Sequence, residues 1–166
     1  DLGNSFVQVY GWDITDQTNM VLNAGGSTIL INNGWSFRSG GFTYNNVTLD
    51  NPAAFSNVTL YGPASFDTLT IEAGTEVRFD TVTYTASHFN TNAVVSNRVF
   101  LRSVFDGENA SLVQTTPDFC GDYLDIKDIN ASGVNFYACV NSADLGNKFG
   151  WSFLASSVGL GSTTEF

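Results

Sequence analysis

The sequence predicts an all-β fold, a right-handed parallel β-helix (β-solenoid) in which short strands wind into stacked coils. Three observations carry that expectation. Four related six-residue units follow one another between Tyr44 and Tyr84, their spacing suits coils of 22 to 24 residues, and no segment shows sustained helical periodicity with good caps. An antiparallel β-sandwich is the alternative, since frequent short strands and turn signals produce the same alternation.

The units are Tyr44-Asn-Asn-Val-Thr-Leu49, Phe55-Ser-Asn-Val-Thr-Leu60, Phe66-Asp-Thr-Leu-Thr-Ile71 and Phe79-Asp-Thr-Val-Thr-Tyr84. Each holds an aromatic, two small polar residues, an aliphatic, a Thr and a second apolar residue. Period-two alternation makes the last three a short strand with Thr outward. Asp50-Asn51-Pro52, Gly62-Pro63 and Ala73-Gly74 supply turns between them. Starts 11, 11 and 13 residues apart are too close for one turn of a three-sided solenoid, so two units make a coil and alternate units stack. Tyr44 is then expected near Phe66, and Phe55 near Phe79, as aromatic ladders. Outside this stretch Phe6–Tyr10, Thr28–Ile31, Val94–Val104 and Tyr123–Ile129 also read as strands, the last with Leu124 and Ile126 inward and Asp125 and Lys127 outward.

Composition agrees and excludes several functions. Asn, Thr, Ser and Gly make up 40% of the 166 residues, whereas Asp, Glu, Lys and Arg make up only 13%. Six basic residues against sixteen acidic ones, with a formal net charge of −10, argue against nucleic-acid binding. No apolar run approaches the roughly 20 residues of a membrane helix, and no leader pattern is evident. Cys120 and Cys139 have no metal-site spacing; a disulfide is favoured over two separate buried thiols, because such an uncharged surface suits an extracellular protein. Asn46, Asn57, Asn109 and Asn130 match the N-glycosylation acceptor pattern, a weak signal in so Asn-rich a chain.

Two longer echoes suggest a piece of a larger modular protein. Asp1-Leu-Gly-Asn-Ser-Phe6 recurs as Asp144-Leu-Gly-Asn-Lys-Phe149, and Gly34-Trp-Ser-Phe37 as Gly150-Trp-Ser-Phe153. The run Cys120-Gly-Asp-Tyr-Leu-Asp-Ile126, followed by Ala131-Ser-Gly133, Phe136-Tyr-Ala138, Asn141-Ser142, Asp144–Asn147 and Gly150–Phe153, resembles the closing part of parallel β-helix modules in large secreted surface proteins of Bacteroidetes. The match covers about 35 residues, and Cys139 departs from it where a Gly is expected, which supports pairing with Cys120. The resemblance implies one β-solenoid domain over residues 1–166, with repeats at 44–84 and a closing motif at 120–153. It further implies a secreted, cell-surface or filament-forming protein. Its expected partners are neighbouring modules, secretion or surface-anchoring machinery, and glycans. It transfers no catalytic residue. Asp67-Thr-Leu69 and Asp80-Thr-Val82 also resemble the O-glycosylation acceptor pattern of Bacteroidetes, which makes Thr68 and Thr81 candidate sugar-bearing residues.

Chemistry-bearing residues are few. Asp67 and Asp80 occupy like positions, but their units fall on different faces, so corner capping is expected rather than the paired carboxylates of a glycosidase. Asp118, Asp122, Asp125 and Asp128 form the one acidic cluster; Ca²⁺ is the cofactor they would take, yet solvated turns are the plainer reading. His88 has no evident Ser, Cys or metal partner, and the arginines are scattered along the chain. Thr48, Thr59, Thr70 and Thr83 hint at an outward Thr row of the kind seen in ice-binding solenoids, with one Thr per strand where two are wanted. Trp12, Trp35 and Trp151 are candidate glycan contacts. The expectation is a non-enzymatic structural or adhesive module of an extracellular bacterial protein, with a glycan-binding or polysaccharide-cleaving domain as the alternative.

Overall fold

The computed structural model describes residues 1–52 and 56–154. Phe55 lies outside them, as do residues 155–166. Among the described residues there are fifteen strands and no helix: β1 (Phe6–Asp13), β2 (Thr28–Arg38), β3 (Thr43–Asp50), β4 (Val58–Tyr61), β5 (Ala64–Ile71), β6 (Glu76–Phe79), β7 (Thr83–Thr91), β8 (Val99–Ser103), β9 (Ala110–Gln114), β10 (Phe119–Gly121), β11 (Leu124–Lys127), β12 (Ile129–Ser132), β13 (Phe136–Ala138), β14 (Ala143–Asp144) and β15 (Trp151–Phe153). Every strand-to-strand ladder is parallel, so the fold is a β-solenoid and the sandwich is excluded.

The coils have three faces. The first is built from the opening halves of β1 and β2 and the closing halves of β3, β5 and β7, and is continued by β10, β13 and β15. The second runs through the closing halves of β1 and β2, then β4, β6, β8, β11 and β14. The third holds the opening halves of β3, β5 and β7, then β9 and β12. Several long strands therefore bend around a corner. In β2 the bend falls at Asn33, which takes a left-handed φ of 53°.

Each face turns alternate apolar residues inward. Ile29, Val47, Leu69 and Phe89 are all but fully buried on the first face, as are Val58, Val77, Leu101 and Ile126 on the second. On the third face large and small side chains interlock: Phe66 is in register with Ala86, and Ala64 with Tyr84. This keeps the core at constant width and avoids voids. Tyr44 stacks on Phe66 with ring centroids 6.0 Å apart, so the expected ladder forms there.

The second expected pair, Phe55 with Phe79, falls outside the described residues because Phe55 is not among them. Units two and four start 24 residues apart, but the second face returns after fewer residues, and Leu60 is in register with Phe79. The fourth unit therefore straddles a corner, with Phe79 on the second face and Tyr84 on the third. Coil length varies because corner loops vary: Thr28 meets Asn46, Asn46 meets Thr68 and Thr68 meets His88. The Thr row is likewise dispersed. Thr48 and Thr70 are neighbours on the first face, whereas Thr59 lies on the second and Thr83 on the third.

The first face contains a seam. β10, β13 and β15 form a separate three-stranded sheet that does not share a ladder with β7. The core still runs through, since Phe89, Phe119 and Phe136 pack in sequence with centroids 5.0 and 5.5 Å apart. At the seam the Phe89 N–H donates instead to Gln114 Oε1 at 2.7 Å. Thr91 Oγ1 is buried there without a partner.

Cys120 and Cys139 form a disulfide with Cα atoms 5.7 Å apart. It joins β10 to the residue after β13, tying two successive coils of the first face together.

Candidate functional site

Solenoid winding gathers residues that are far apart in sequence. Its clearest effect concerns the six cations, which the linear chain spreads from Arg38 to Lys148. Arg38, Arg78, Arg102 and Lys127 all lie on second-face strands. Arg98 immediately precedes β8 and binds Asp125 of β11 through two guanidinium nitrogens, at 2.8 and 2.6 Å. Lys148 reaches Asp144 of β14 at 2.8 Å. All six therefore lie on, or pair with, the second face, and the arginines are not scattered in space. The primary sequence hides this because corner loops of unequal length set the register.

Within that face three cations form a column. Thr59 is in register with Arg78, Arg78 with Arg102, and Arg102 with Lys127. Adjacent rungs of a sheet lie about 4.8 Å apart. The two outer members have carboxylates: Glu76 accepts from Arg78 Nε at 2.8 Å, and Asp106 accepts from Lys127 Nζ. Half-exposed pairs of this kind contribute little net stability. Arg102, in the middle, has no carboxylate in ion-pair range among the described residues. Its Nε is buried without a hydrogen-bond partner, and its guanidinium carbon sits 5.6 Å from the centroid of the Phe100 ring.

One end of the column opens into a cleft of about 450 Å³ lined by Trp35, Ser56, Asn57, Thr59 and Tyr61. Trp35 is 78% exposed, while Tyr61 carries Arg38 over its ring at 4.1 Å. An exposed indole beside amide and hydroxyl groups suits a sugar ring, which offers an apolar C–H face and a hydroxyl rim. The other two candidate tryptophans are withdrawn from solvent. Trp12 is half-buried and donates its Nε1–H to Tyr44 Oη at 3.1 Å; Trp151 is buried and donates to the Ile129 carbonyl at 3.0 Å. The two Gly-Trp-Ser-Phe echoes thus differ in orientation, Trp35 outward and Trp151 inward.

Comparison with protein-family models, with curated proteins and with solved structures finds no match for this chain. No helix among the described residues is long and apolar enough to cross a membrane.

The remaining candidates separate. Asp80 caps a corner, accepting from the Thr81 N–H at 2.9 Å and from the Gly62 N–H at 3.5 Å, while Asp67 stands exposed at a different corner. The acidic cluster is divided among other partners. Asp125 holds Arg98, Asp128 accepts from Asn147 Nδ2 at 2.6 Å and from the Gly107 N–H at 3.2 Å, and Asp118 accepts from Asn135. The Asn135 bonds hold the Asp118 carboxyl below its usual range. Asp122 lies near both cysteines, but their sulfurs are joined to each other and offer no thiolate. His88 is exposed on the first face beside Thr68. Thr68 and Thr81 are half-exposed on the outside of the stack.

Proposed function

We propose that this chain is a non-enzymatic structural and adhesive module of an extracellular bacterial surface or filament protein. The observation that carries the proposal is the ladder of the second face, continuous from β1 to β14 and backed by one apolar core. Such a stack resists compression because every coil is paired with its neighbours on at least two faces. β1 pairs only with β2 among the described residues, so its outer edge is available to a preceding coil. The disulfide suits an oxidising compartment. Neighbouring modules are the partners this reading gives the chain, and Thr68 and Thr81 its O-glycan positions.

Two measurements test the reading. Antibody raised to the chain should label intact cells of the organism of origin without permeabilisation. Incubation with neutral and acidic polysaccharides should release neither new reducing ends nor unsaturated uronates. Labelling confined to permeabilised cells overturns the surface assignment, and turnover of any polysaccharide overturns the non-enzymatic one.

A further inference from the structure

We infer that the second face binds an extended anionic polysaccharide. Its carboxylate or sulfate groups are held along the Arg78–Arg102–Lys127 column, and a sugar ring is stacked on Trp35. The inference goes beyond the structural reading, because a spacer needs no ligand, and the two fail independently.

Arg102 is the starting point. Flanked in register by Arg78 and Lys127, whose charges Glu76 and Asp106 offset, it has no carboxylate within ion-pair distance, although it helps to hold the Asp106 carboxyl below its usual range. The column thus holds three cations against two carboxylates, and an anion laid across it meets the one charge left uncompensated. The guanidinium is the right group for this, since its planar fork matches carboxylate and sulfate oxygens. Arg78 and Lys127 can turn from Glu76 and Asp106 to the ligand at modest cost, because those pairs are half-exposed.

The ligand's shape follows from the ladder. Cations on successive rungs make a straight line parallel to the solenoid axis, so the ligand is linear with anionic groups repeated along it. The same line leads through Thr59 to the cleft with Trp35, Tyr61 and Asn57. Aromatic and amide groups at the end of a cation row call for sugar rings between the charges. A nucleic acid does not fit: a duplex carries one charge per roughly 1.7 Å, and three column cations cannot balance it beside ten excess negative charges.

The test uses the full chain and Trp35 fluorescence, since the other two tryptophans are withdrawn from solvent. Polygalacturonate and chondroitin sulfate fragments are the probes, separating carboxylate from sulfate recognition, with dextran as the neutral control and duplex DNA as the competing polyanion. At least one anionic glycan should give a saturable change that disappears in 1 M NaCl, while dextran and DNA give none. Arg102→Gln should weaken binding about tenfold or more, as expected for loss of a charge-assisted contact. Lys127→Gln and Arg78→Gln, changed at the surface, should weaken it several-fold, and His88→Gln on the first face should leave it unchanged. Should Arg102→Gln fail to fold by thermal melting, the two surface variants and the salt dependence decide. Absence of binding to both anionic glycans overturns the inference. So does equal binding of dextran or DNA, or undiminished affinity in folded column variants.

Discussion

Gly34 opens the second-face half of β2, where the chain passes close to the preceding coil. A Cβ on Gly34 would stand 1.8 Å from the Tyr10 carbonyl oxygen, and one on Gly150 would stand 1.9 Å from that of Ala131. Backbone cannot yield as a flexible side chain does, so Gly34→Ala should lower stability by about 3 kcal/mol, at the upper end for overpacking. Gly107→Ala, at positive φ but in open space, should cost only about 1 kcal/mol. Urea melts of the two variants compare them directly, and equal midpoints would refute the close-approach account. Tyr44 makes a different residue-scale prediction. Its hydroxyl donates to the Ser39 carbonyl at 2.6 Å and accepts from Trp12, and burial pushes its pKa up to about 12. Burial pushes Tyr84 up as well. The unfolded phenol ionises near pH 10. The unfolded state therefore loses its proton first, and the stability these tyrosines supply is present below pH 10 and lost as pH rises towards 12 and beyond. Urea midpoints recorded from pH 8 to 12 should fall above pH 10, and Tyr44→Phe should flatten that fall while costing about 1 kcal/mol at pH 7.

At the scale of the strand and coil, the disulfide is the clearest target. Cys120 and Cys139 are 19 residues apart, and bridging a loop of this size contributes about 3 kcal/mol in the chain-entropy model. The double variant Cys120→Ser, Cys139→Ser should be destabilised by that amount in urea, and dithiothreitol should destabilise the native chain alike. An unchanged midpoint would show that β10 and β13 are held by their ladder and aromatic packing alone. Strand identity was legible in the sequence wherever alternation was strict. Val47, Leu49, Leu69 and Ile71 point inward as their spacing requires. Coil register was not legible, since it depends on how many residues each corner consumes, and no local propensity counts them. That is why Phe79 meets Leu60 and why the fourth unit crosses a corner. The cation face was illegible for the same reason. Arg78, Arg102 and Lys127 become neighbours only after loops of unequal length are wound out of the way. Trp12, Trp35 and Trp151 are equal candidates by residue type, and nothing local distinguishes the exposed Trp35 from Trp151, which is buried where β15 pairs with β13.

For the whole molecule, the winding gathers charges that the linear chain keeps apart. A formal net charge of −10 describes the chain, yet all six Lys and Arg side chains lie on or pair with the second face, together with the five carboxylates that bind them. The seam beside β7 has a consequence of a mechanical kind. Two faces carry their ladders past this level, through β8 to β11 and β9 to β12, while the first face is joined there by Gln114, packed rings and no ladder. A rod fastened on two sides and loose on the third behaves as a one-way hinge, opening along the first face and stiff in the other directions. Amide hydrogen exchange should find the Phe89 N–H less protected than that of Leu69, and Gln114→Ala should widen the gap. Under tension the molecule should bow there before any coil unwinds.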